Sequence, residues 1–129
     1  MTQKNNVVGW FEISVRNMER AIQFYETLFD LKLTRHQIGP LHMAWFPWEE
    51  AGQGASGSLV QKDDFHKPSM DGVLAYFTAT SGDLSVELAR VQGAGGKVLL
   101  PKTLIAEDIG YMAVIVDSEG NRIAIHSRK

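Results

Sequence analysis

The sequence contains no cysteine. A disulfide framework, a thiolate metal ligand and a cysteine nucleophile are therefore excluded, while the redox compartment is left open by composition. Long apolar runs are also missing: no stretch approaches the roughly 20 residues that a membrane helix needs, and none near the polar opening Met1-Thr2-Gln3-Lys4-Asn5-Asn6 would serve as a signal-peptide core. These absences lead to an expectation of a cytoplasmic protein with no membrane partner. Charge of one sign is scarce, since 13 Lys and Arg stand against 15 Asp and Glu, and a formal charge of -2 gives nucleic acid or an anionic bilayer little to hold. What is present is ordinary: 44% hydrophobic and 22% charged residues over 129 positions suffice for one domain with a real core.

Order begins with residues 9–29. Phe11, Ile13 and Val15 alternate with Trp10, Glu12 and Ser14, the two-residue period of a strand with one apolar face. Asn17 then stands at a helix N-cap position, Glu19 falls in the first turn near the positive end of the helix dipole, and Met18, Ile22, Tyr25 and Phe29 follow at helical spacing. Strands are expected over 31–38 and 41–48 around a Gly39-Pro40 turn, followed by a glycine-rich loop and a short strand over 58–61. The pattern then repeats. A strand over 73–80 leads to Asp83 as a cap, Leu84, Leu88 and Val91 form a second helical stripe, and glycines at 93–96 end that helix. Strands over 97–105, 111–115 and 121–127 complete the second half. The spacing thus predicts an α+β fold of two βαβββ modules, at about 7–62 and 72–128 with a linker at about 63–71, whose curved mixed sheets share a cavity.

Phe11-Glu12-Ile13-Ser14-Val15, Glu19-Arg20-Ala21, Phe24-Tyr25-Glu26 and the closing Asp117-Ser118-Glu119-Gly120-Asn121-Arg122-Ile123 together resemble the vicinal oxygen chelate superfamily, which includes glyoxalase I, bleomycin-resistance proteins and extradiol dioxygenases. The resemblance implies metal ligands, usually His and Glu, on the first and last strand of each module. Carried over residue by residue, those positions hold Trp10, Ser58 or Leu59, Tyr76 and Ala124. None is a normal ligand for a divalent ion. No metal site and no cofactor are therefore expected, and metal-dependent glyoxalase I activity is disfavoured.

Polar candidates remain on the strand faces turned away from the helices. Glu12 and His126 are the sharpest pair: a carboxylate and an imidazole facing one pocket could act as base and acid, or together hold a polar ligand, unless Glu12 is a structural acceptor. Trp10, Ser14, Ser58, Tyr76 and Thr78 are the expected ligand-binding residues. Trp45 and Phe46 cannot share a face, and with Trp48 they are left unassigned. His36, His42 and His66 have no partner at metal-binding spacing and read as solvated; the glycines at 93–96 follow a helix, so they form a C-cap and no phosphate loop. No serine carries a nucleophile-elbow signature. The expected function is a homodimeric, glyoxalase-like small-molecule-binding protein that lacks the usual metal ligands. Two alternatives stand beside it. One is a lyase or isomerase on a small oxygenated metabolite using Glu12 and His126; the other is a protein that sequesters a drug-like compound, as bleomycin-resistance proteins do.

Overall fold

A computed structural model describes residues 7–61 and 67–129, so residues 63–66 of the expected 63–71 linker lie outside the described residues. In chain order the elements are β1 (Phe11–Ser14), α1 (Met18–Phe29), β2 (Thr34–Ile38), β3 (Leu41–Trp45), β4 (Gly57–Gln61), β5 (Ala75–Thr78), α2 (Leu84–Ala94), β6 (Lys97–Ala106), β7 (Gly110–Val116) and β8 (Arg122–Ser127). Each half is βαβββ, as the sequence pattern predicts. The strands form two four-stranded sheets of equivalent order, β1-β4-β3-β2 and β5-β8-β7-β6. In each, the first strand pairs in parallel with the last and the other pairings are antiparallel. No helix among the described residues is long and apolar enough to cross a membrane.

The helical stripes form because both ends are chemically fixed. Asn17 caps α1 by accepting from Arg20 N–H at 3.1 Å, and Asp83 caps α2 by accepting from Ser85 N–H at 2.9 Å. Phe24, Tyr25 and Leu28 of α1 and Leu84 and Val91 of α2 are fully buried. Each such side chain contributes roughly 1.5–3 kcal/mol relative to exposure. They join Ile13, Leu59, Ile115, Ile123 and Ile125 in one apolar core that runs through both halves. Phe77 is central to it, with ring centroids 5.0 Å from Phe29, 5.4 Å from Phe11 and 5.7 Å from Tyr25. The two sheets are thus joined by side chains and helices, with β1 and β5 at the edges of separate sheets.

Polar contacts clamp the same junction. The Glu119 side chain, on the turn between β7 and β8, accepts from Arg16 N–H at 2.9 Å, Asn17 N–H at 2.8 Å and Arg20 Nε at 2.6 Å, while Gln61 accepts from Met18 N–H at 2.9 Å. The start of α1 is therefore satisfied from distant strands, as helix ends require. Burial alone would raise the Glu119 pKa; hydrogen bonds from Arg20, Asn17 N–H, Ser118 and Arg16 N–H more than offset it and hold the carboxyl below its usual value. An unfolded chain binds this proton first as the solution is acidified, so the contribution is present above about pH 4.3 and is lost as pH falls through the lower folded value. Urea midpoints measured from pH 6 to pH 3 should drop less steeply in Glu119→Gln than in the parent, and parallel curves would contradict this account.

Candidate functional site

Register and alternation decide which side chains can meet a ligand. On the first sheet Glu12 lies opposite Ser58, which lies opposite Trp45, while Ile13, Leu59 and Ala44 take the core side. The outward face therefore carries Trp10, Glu12, Ser14, Ser58, Met43, Trp45 and, from β2, His36. On the second sheet Tyr76 faces Ala124 and Thr78 faces His126, which also pairs with Met112. This settles the Trp45 and Phe46 alternation: Phe46 is buried in the core, and Trp45 takes the opposite side.

Three aromatic groups converge on the first sheet. Trp10 meets Trp45 edge to face with centroids 5.5 Å apart, and the His36 imidazole stacks on the Trp45 indole at 3.8 Å. His36 was expected to be solvated. It is half-buried, because β2–β3 pairing sets Thr34 against Trp45 and His36 against Met43, making His36 and Trp45 diagonal neighbours on one face. The Trp45 Nε1–H is buried and has no acceptor among the described residues, a state that buried polar groups rarely occupy.

The expected site residues do not gather into a single hollow. Trp10 and Tyr76 are 39% and 55% exposed, whereas Ser58 is fully buried and its hydroxyl is spent on Leu59 O at 2.7 Å. Glu12 and Ser14 line a cleft of about 220 Å³ together with Arg122, Asn121 and Lys67. Asn121 Nδ2 donates to Ser14 O at 2.8 Å across it, and Arg122 Nε is buried without a partner among the described residues. Thr78 instead lines a cleft of about 340 Å³ beneath residues 47–56, with Phe11, Phe46 and Phe77 behind it. His126 lines neither. Its Nε2 lies 2.8 Å from Ile109 O, and because a carbonyl can only accept, Nε2 must carry the hydrogen. Glu12 and His126 thus stand on separate sheets with different surroundings, a poor arrangement for one acid–base pair.

The four positions that the resemblance assigns to metal ligands do not fit a metal. Ala124 has no donor, Trp10 offers an N–H, Tyr76 offers a phenol in place of an imidazole or carboxylate, Leu59 lies in the core and the Ser58 hydroxyl is already bonded. Among the described residues, no three His, Asp or Glu side chains come together in a group that could hold an ion.

The family model for the Glyoxalase/Bleomycin resistance protein/Dioxygenase superfamily matches residues 7–125, and the chain belongs to that family. Solved structures agree at the level of fold. A glyoxylase/bleomycin resistance protein/dioxygenase domain from Frankia sp. EAN1pec is 18% identical with a TM-score of 0.73, the match covering 98% of this chain and 100% of that one. TnmS3, an antibiotic-binding protein from Streptomyces sp. CB03234, is 23% identical with a TM-score of 0.64, covering 99% and 100%. Glyoxalase I from Zea mays is 18% identical with a TM-score of 0.71 over 92% of this chain but 45% of its own, so this chain spans under half of that enzyme's length. No curated protein matches the sequence.

Proposed function

We propose that the chain is a small-molecule-binding member of the superfamily whose ligand is held by stacking and hydrogen bonding on the outward face of the first sheet. The observation that carries this reading is the Trp10–Trp45–His36 cluster, in which the buried Trp45 N–H lacks an acceptor among the described residues and Trp10 stands at a position that the resemblance assigns to a metal ligand. Aromatic walls suit flat ligands, and a carbonyl entering the stack would satisfy the Trp45 donor. An antibiotic-binding protein among the similar folds is consistent with binding without turnover. The exposure of Trp10 and Tyr76 also supports a homodimer, in which a second copy would wall off the face.

Acridone, a neutral three-ring molecule with one carbonyl, is a suitable probe. In a Trp48→Phe background, which leaves Trp10 and Trp45 as the emitting indoles, it should quench fluorescence saturably at one site. Trp10→Ala should weaken binding at least tenfold, and prior treatment with a chelator should change nothing. Unaltered affinity in Trp10→Ala, or binding that requires a stoichiometric divalent metal, would sink the reading.

A further inference from the structure

We infer that the cleft beneath residues 47–56 is a second small-molecule site, built for a one- or two-ring organic cation. Its back wall is the packed trio Phe11, Phe46 and Phe77, with ring centroids 5.4–5.7 Å apart. These are core-side residues of β1, of the position just after β3 and of β5, and neither Trp10, Trp45 nor His36 lines the space, so it is separate from the aromatic cluster described above. Phe11 and Phe77 are only half-buried, leaving ring surface toward the cleft, and Trp48 stands 61% exposed at its rim. At about 340 Å³ the space lies near the lower limit for small-molecule pockets.

The polar inventory fixes the sign of the ligand. Among the described residues that line it, Glu49 carries the only charge, and none is Lys, Arg or His. Two of the three lining hydroxyls are committed: Ser56 donates to Pro47 O at 3.0 Å, and Thr80 donates to Phe29 O at 2.6 Å. By contrast, no hydrogen bond or ion pair engages the Glu49 carboxylate among the described residues. Its placement is set by a tight turn, in which Gly52 N–H donates to Glu49 O at 2.9 Å. A Cβ on Gly52 would come within 3.1 Å of the Glu49 Cβ, so a side chain there would push the carboxylate aside. Aromatic faces and a lone carboxylate both attract a desolvated cation and both repel an anion.

Benzyltrimethylammonium, its neutral isostere neopentylbenzene and the anion phenylacetate provide the test, followed by NMR on the intact chain. The ammonium ion should give saturable shifts at residues 47–56 and at Phe11, Phe77 and Thr78, and should bind at least tenfold more tightly than either companion. Glu49→Gln, an exposed change whose spectrum reports its own folding, should raise the Kd for the ammonium about tenfold, and Trp48→Ala should raise it as well. Saturating acridone should leave that Kd unchanged, so this site and the proposed one can fail independently. Equal affinity for phenylacetate, shifts confined to Trp10 and Trp45, or a Kd in Glu49→Gln within twofold of the parent would overturn the inference.

Discussion

Asp117→Ala should destabilise the protein by about 3–5 kcal/mol, a large part of the 5–15 kcal/mol that holds a typical domain together. The Asp117 carboxylate is 4% exposed and accepts four hydrogen bonds: from Tyr25 Oη at 2.6 Å, Glu119 N–H at 2.8 Å, Asn121 N–H at 2.9 Å and Asn121 Nδ2 at 3.0 Å. Alanine would leave a fully buried hydroxyl and two backbone donors without an acceptor, and the cost of stranding such groups exceeds what the bonds contribute net. The same carboxylate explains the state of Tyr25. Burial first, and then the adjacent Asp117 charge and its hydrogen bond, push the phenol well above its ordinary pKa, so it remains a donor in the fold. Tyr25→Phe, which removes one donor and leaves three, should cost about 1–2 kcal/mol. Urea denaturation of both variants checks the ranking; an Asp117→Ala loss below that of Tyr25→Phe would show that the network does not clamp α1 to the β7–β8 turn.

That clamp also shows where reading the sequence stops. Alternation at 10–15 assigns the faces of β1 correctly, and the stripe of Met18, Tyr25 and Phe29 predicts the buried side of α1, because both depend on local periodicity. Asn17 and Asp83 are legible as caps for the same reason. The carboxylate of Glu119, however, reaches amides 102 and 103 residues away, which no local pattern encodes.

Site geometry suffers most from this limit. Pairing of β1 with β4 fixes Glu12 against Ser58, and pairing of β5 with β8 fixes Thr78 against His126, yet both are parallel pairings between strands distant in sequence. A meeting of Glu12 with His126 would require the two sheets to join through β1 and β5, whereas Phe11 and Phe77 pack in that junction through their side chains. The stacking of His36 on Trp45 was in principle accessible, since a Gly39-Pro40 turn between β2 and β3 suggests a hairpin and its register would have aligned them. The cleft beneath 47–56 was not, because its wall belongs to residues that periodicity assigns simply to the core.

Gly110→Ala should be nearly as damaging, at about 3–5 kcal/mol, through two effects that add at one atom. The backbone there has φ +111, a conformation that L side chains rarely adopt, and a Cβ would lie 2.4 Å from Ser127 O and 2.8 Å from Arg128 Cα. These are backbone atoms of β8 and its exit, so no rotamer change relieves the contact; β7 or β8 must move. Gly39→Ala separates the two contributions. Gly39 has φ +58 but nothing within 4 Å of a Cβ, so its substitution carries the conformational cost alone, about 1–2 kcal/mol. The consequence for the second sheet is local as well as global, because Gly110 follows Ile109, whose carbonyl fixes His126, and Ser127 follows His126 directly. Gly110→Ala should therefore shift the His126 ring resonances at conditions where the variant is still folded, whereas Gly39→Ala should leave them in place. Equal losses in the two variants, with His126 unmoved in both, would mean that β7 and β8 yield to the added methyl group and that the anchoring of His126 does not depend on this contact.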